Sequence, residues 1–190
     1  MHLAYTPEAN ALLADEPLAL LIGMLLDQQI PMEKAFTSPY ELRTRLGGSL
    51  DAATIAGYDP DALDELFRTP PALHRFPAAM AKRVQELARI IASEYGGDAS
   101  RVWAGVSSGD ELVARLAKLP GFGAQKAAIF AALLAKQLGV QPAGWRAATG
   151  TFGEDGVFRS VADVVDDASL TKVRAYKQEM KAAAKAKTAK

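Results

Sequence analysis

Residues 118–127 read KLPGFGAQKA, and the Pro-Gly-Phe-Gly run at 120–123 stands between two stretches of helical apolar spacing. Proline cannot continue a helix interior and glycine favours the conformations that end one, so the chain must stop, turn sharply and restart there. The two helices then meet as a hairpin. The restart leaves the first backbone N–H groups of the second helix without intrahelical partners, at the positive end of its dipole. Gly121 and Gly123 remove the side chains that would hold another backbone at a distance, and Phe122 is the one apolar knob between them. Lys118 and Lys126 place positive charge around the same point, so a phosphate is the natural guest of the turn. A helix–helix corner that holds no ligand accounts for the same residues.

The same punctuation governs the rest of the chain. Thr6-Pro7-Glu8 opens a helix through Leu13, an apolar helix follows at about 17–29, and Pro31 starts another that runs to Leu46 before Gly47-Gly48. Asp51 and Asp59 cap segments 51–57 and 60–68, the second with Leu63, Leu66 and Phe67 on one stripe. Pro70-Pro71 precedes a helix from Pro77 to Tyr95, in which Met80, Val84, Leu87 and Ile91 recur at helical spacing. Short helices begin at Asp98 and at Gly109, the latter running through Lys118, and a very apolar helix spans Ala124 to Leu138 before Gly139. Residues 141–160 read as an irregular loop and about 167–186 as a basic helix. No convincing strand alternation survives in 1–140, so the expected fold is all-α, a bundle of short helices in one domain over 1–190. Two lobes are expected within it, about 20–100 and 101–140 plus the terminal segments.

Composition removes several kinds of chemistry. The absence of cysteine excludes disulfides, thiolate catalysis, Cys-ligated zinc and a Cys-held iron–sulfur cluster. His2 and His74 lie far apart with no HExxH pattern, so no metal site is expected. Lys plus Arg number 22, as do Asp plus Glu, which argues against charge-driven coating of nucleic acid but leaves a local basic face open. The longest apolar run, Leu18–Leu26, is far short of the roughly 20 residues a bilayer requires. The opening MHLAYTPEAN lacks the basic-then-apolar order of a secretory signal, so a cytoplasmic protein without a membrane partner is expected.

LAKLPGFGAQKAAIFAALLA resembles the helix-hairpin-helix of the DNA glycosylase superfamily that includes endonuclease III, the adenine-mismatch glycosylases and the alkyl-adenine glycosylases. Leu119, Pro120, Gly121, Phe122, Gly123 and Ala127 carry the match. LLIGMLLDQQI at 20–30 is similar to the family's early helix ending in a glutamine pair, and FPAAMAKRVQELARIIAS to a helix of its first lobe. The resemblance spans roughly 16–140 in the family's order. It implies that Leu119 and Phe122 shape a DNA-binding hairpin whose amides at Gly121, Gly123, Ala124, Gln125 and Lys126 grip a backbone phosphate. It also implies that hairpin carbonyls can hold a monovalent cation, no other cofactor being expected. Gln29 takes the place of the wedge that enters the duplex where a base is expelled, with Gln28 beside it. An ordinary polar helix end is the plainer account of that pair.

The family's catalytic residues do not carry over cleanly. Gln125 stands where bifunctional members have a lysine, and one step along a helix turns Lys126 by about 100°. A monofunctional hydrolase is therefore expected rather than a lyase. Ala143 falls near the family's aspartate position, and no acid occurs between Lys126 and Phe152. The candidate carboxylates are then Asp155, Asp163 and Asp27. The first two read equally well as a solvated turn and a helix cap. Asp27 follows an apolar run and precedes the glutamines, so burial would raise its pKa and suit it to general acid work. A helix-terminal acid paired with Lys34 or Arg43 is the alternative. Trp145 and Arg146 could meet an extruded base or a phosphate, although Trp145 reads more simply as core.

TKVRAYKQEMKAAAKAKTAK at the end of the sequence holds seven basic residues and one acid. Such a helix adds salt-sensitive attraction to DNA, or is a solubilising tail. The expected function is base-excision repair of damaged or mismatched double-stranded DNA by a monomeric glycosylase, with Met24, Asp27 and Trp145 near the pocket. A non-catalytic damage sensor on the same scaffold is the alternative. A helical protein-interaction domain explains neither hairpin nor tail.

Overall fold

The computed structural model describes the backbone of residues 1–188 and the side chains of residues 1–185. Among the described residues there are ten α-helices and no strand. They are α1 (Pro7–Asp15), α2 (Pro17–Leu26), α3 (Met32–Arg45), α4 (Ala52–Gly57), α5 (Pro60–Arg68), α6 (Pro77–Glu94), α7 (Gly109–Ala117), α8 (Ala124–Leu138), α9 (Trp145–Thr149) and α10 (Asp167–Thr188). Short 3-10 turns fill Ala99–Val102, Gly150–Phe152 and Val161–Asp163. The chain is all-α, as its punctuation demands.

The starts follow their caps. Thr6 accepts from the Ala9 amide, Asp51 from Thr54, Asp59 from Ala62 and Ser108 from Glu111. Gly139 ends α8 in the left-handed conformation. Every residue of α2 from Leu18 to Leu26 is buried, and α1, α3 and α6 pack against this helix. α4 and α5 lie on α6, where the buried Gln85 side chain donates to the Tyr58 carbonyl over 2.7 Å. α7, α9 and the 161–163 turn pack on α8. One contiguous apolar cluster runs from Leu3 to Val173.

Two expectations change. α2 ends at Leu26 rather than near 29, and Asp27 to Ile30 form a turn in which Gln29 is left-handed at φ 57°. Pro31 denies the chain an amide and restricts Ile30, so the helix cannot continue into α3. Residues 141–160 are not wholly irregular, because α9 forms within them. Ala143 bridges in parallel to Ser108, its carbonyl accepting from Gly109 N–H at 2.8 Å. A Cβ on Gly109 would stand 2.5 Å from the Trp145 Cα, so that glycine lets α9 close on α7. The basic end of the chain forms α10, which returns to the N-terminal elements through Arg174–Glu33 and His2–Asp167 pairs. The end of the expected tail, with Lys187 and Lys190, lies outside the described side chains.

Candidate functional site

The turn between α7 and α8 is a hairpin whose interior is filled by its own apolar residues. Leu119 and Phe122 are buried, and Phe122 meets Phe130 of α8 edge-on with centroids 5.7 Å apart. These two residues therefore shape the hairpin from within and offer no side chain to a partner. Gly121 sits at φ 78°, open to glycine and strained for other residues. Gly123 has an ordinary φ of −79° and open space where a Cβ would stand. Nothing inside the molecule requires glycine there.

Gly121, Gly123, Ala124 and Gln125 are exposed, and the amides of 121 and 123–126 donate no hydrogen bond among the described residues. They converge at the start of the fifteen-residue α8, where the dipole favours an anion. The carbonyls of Lys118 and Gly121 likewise accept nothing from the described chain. Of Lys126 only the backbone amide joins this cluster. Its side chain turns inward, and its ammonium donates to the Leu25 carbonyl at 3.0 Å, at the end of α2. One step along α8 thus separates the outward amides from an inward amine.

That amine lines a cleft of about 600 Å³ between the 27–33 turn, the first turns of α8 and α10. Gln125 lines it too, so the step from 125 to 126 does not carry Lys126 out of the cleft. A second cavity, of about 300 Å³, adjoins it and contains Phe152, Arg159 and Tyr176. Asp27, Gln125, Ile129, Lys177 and Lys181 belong to both.

Asp27 is the carboxylate at this shared wall. Burial pushes its pKa up, while Lys177 and Lys126 draw it back. Burial also lowers the Lys126 ammonium to about 8, against the support of Asp27. Asp27 pairs with neither Lys34 nor Arg43, since Lys34 binds Glu41 at 2.9 Å and Arg43 approaches Glu16 at 3.7 Å.

The glutamine pair divides its work. Gln28 is tied down, donating to the Leu25 carbonyl at 2.9 Å and accepting from Arg83 at 3.2 Å. His74 donates from Nε2 to the Gln28 carbonyl at 3.0 Å and accepts the Phe76 amide on Nδ1, which fixes a neutral tautomer. Its pKa is lowered, first by burial. Gln29, with its left-handed backbone, is exposed at the tip of the turn. Phe76, 42% exposed under the Arg75 guanidinium, stands on the segment that His74 fastens to this turn. Sequence reading passes over Phe76 because it sits among helix-start residues.

The other candidate carboxylates are elsewhere. Asp155 is exposed and held by Arg146 at 2.8 Å, so the longer loop does not carry it to either cavity. Asp163 is buried, accepting from Lys136 at 2.6 Å, Arg159 N–H at 2.8 Å and Ser160 N–H at 3.1 Å, which makes it the cap of a 3-10 turn. Trp145 is buried with Arg146 stacked on it at 4.4 Å, and neither lines either of these two cavities. Ala143 carries no acid and its backbone is engaged by Gly109. Among the described residues no three His, Asp or Glu side chains come together as a metal site. Sequence reading does not reveal Lys177 as the neighbour of Asp27, because only the return of α10 brings them together.

The family model for the HhH-GPD superfamily of base excision DNA repair proteins matches residues 22–190. Comparison with curated proteins gives no significant match.

Proposed function

The chain belongs to the HhH-GPD superfamily of base excision DNA repair proteins, and on that premise we propose that it is a monofunctional DNA glycosylase. DNA is the partner, and the proposed substrate is a damaged or mismatched base drawn out of the duplex. The observation that carries this reading is Asp27, a carboxylate at the wall shared by both cavities, between the glutamine turn and the hairpin helix.

In the proposed reaction the C1′–N bond breaks and its electron pair leaves with the base. Asp27 faces the positive charge developing on the sugar while a water adds to C1′. The proton lost by that water passes to Asp27, and the departing base takes one from the Lys126 ammonium, whose pKa of about 8 makes it a ready donor. Proton return from Asp27 to Lys126 resets the pair. The exposed amides of Gly121 and of residues 123–125 hold a strand phosphate, and Gln29 occupies the gap left by the base. The proposed place for a monovalent cation is at the carbonyls of Lys118 and Gly121, which accept no hydrogen bond among the described residues, where it would add positive charge beside that phosphate.

The alternative is a DNA reader without chemistry. It is favoured by the absence of an acid at Ala143 and by the engagement of Asp155 and Asp163 elsewhere. Incubation with duplexes that each bear one lesion, followed by hot alkali and strand sizing, decides between them. Breaks that need alkali on at least one lesion establish the monofunctional glycosylase. Breaks without alkali indicate a lyase, and retained binding with no break indicates the reader.

A further inference from the structure

The balance of charge around Asp27 bears on which bases the cleft can accept. Arg174 is paired with Glu33 and Arg159 with Glu154, so these four cancel. What remains in the larger cleft is Lys126, Lys177 and Lys181 around the single carboxylate of Asp27. In the smaller cavity Lys177 and Lys181 face the same carboxylate. Lys177 is half-buried on the cleft side of α10 and is the strongest charge acting on Asp27, so its amine belongs to the wall of the site.

No aromatic ring lines the larger cleft. The smaller one has Phe152 and Tyr176, but a ring face attracts a cation less strongly than uncompensated lysines repel it. The donor inventory agrees. Three ammonium groups donate only, the amides of Gln29, Gln125 and Gln178 both donate and accept, and Asp27 is the one unpaired carboxylate that accepts, so donors prevail. A base with a fixed positive charge meets repulsion here, and a base rich in carbonyl oxygens meets donors. Cationic N-alkylpurines also leave the sugar without being protonated, whereas a neutral base needs a proton of the kind Lys126 can give.

We infer that the cleft selects neutral, carbonyl-rich bases, the products of deamination or oxidation, and rejects cationic alkylated purines; this rests on the glycosylase reading of the same site. Lys177 is the residue that sets the preference.

The test is fluorescence anisotropy of the full chain with duplexes carrying hypoxanthine, xanthine, uracil or 8-oxoguanine, and with one carrying 7-methylguanine on a 2′-fluoro sugar, which keeps its base. The best neutral lesion is expected to bind roughly tenfold or more tighter than 7-methylguanine. Lys177→Gln narrows that gap. Lys181→Gln, at an exposed position, narrows it as well and serves if the first variant melts early. Equal or tighter binding of 7-methylguanine, a gap that survives both substitutions, or no lesion bound above undamaged duplex overturns the inference. The same lesions on ordinary sugars, treated with alkali, separate the two readings. Base loss confined to 7-methylguanine keeps the hydrolase and removes the preference, whereas selective binding without base loss keeps the preference and removes the hydrolase.

Discussion

The ammonium of Lys126 donates to the carbonyl of Leu25 across 3.0 Å, joining the first turn of α8 to the last turn of α2. Burial holds its pKa near 8, below the ordinary 10.5, so the folded chain gives up this proton more readily than the unfolded chain. The contribution of Lys126 to stability is therefore complete above pH 10.5 and is lost as pH falls through 8. Lys126→Met is expected to remove that dependence. Thermal melts across this window should show wild type gaining on the variant as pH rises, and a constant difference rejects the assignment.

Lys126 also lines the cleft, which makes it the amine to watch for covalent chemistry. In the hydrolytic reading it passes a proton and forms no bond to the sugar. Borohydride added during turnover should trap no protein–DNA adduct. An adduct lost in Lys126→Met would make the enzyme a lyase.

Asp27→Asn should lower single-turnover base excision on the order of 10²- to 10⁴-fold, with duplex binding retained. Its stability effect has the opposite sign. The folded pKa of Asp27 is raised above 3.8, so its contribution is complete below that pH and is lost as pH rises through the folded value. At pH 7 the half-buried carboxylate costs stability, and the asparagine variant should melt higher than wild type there. The advantage should disappear below pH 3.8. A variant that melts lower at neutral pH removes the case for a strained carboxylate.

The two hairpin glycines should respond differently to alanine. Gly121→Ala puts a Cβ at φ 78° and 3.4 Å from Leu25, costing about 1–3 kcal/mol of stability. Gly123→Ala has an ordinary φ and open space, so the fold should tolerate it while DNA affinity falls. Melting curves and anisotropy titrations check both. Unchanged affinity in Gly123→Ala means the exposed amides hold nothing.

Gly109→Ala should destabilise by about 1–3 kcal/mol or more, because its Cβ would meet the backbone of Trp145 at 2.5 Å. Chemical denaturation measures it. A neutral result would place α9 differently on α7.

Much of the architecture is legible in local signals. α5 and α8 run as their caps, stripes and terminal glycine require, and α4 starts immediately after its Asp51 cap. The end of α2 is less legible, since an unbroken apolar run conceals a stop enforced from beyond it by Pro31. α9 is missed because its support is tertiary, the bridge from Ala143 to Ser108 and the gap at Gly109. Hairpin and glutamine turn are visible as motifs. The cleft itself is not, because Asp27, Lys126 and Lys177 lie on three segments with no pattern in common. Asp155 and Asp163 attract attention by position, yet Arg146 and Lys136 engage them for structural ends.

α8 carries on consecutive residues an amide that faces outward and an amine that faces inward. No joint lies between them. A load applied by a strand at the outer amides is borne by the same rigid rod that positions the ammonium beside the end of α2. Register errors in how the strand is seated are thereby converted into displacement of the proton donor, and the inner chemistry is indexed to the outer grip by the pitch of one helix.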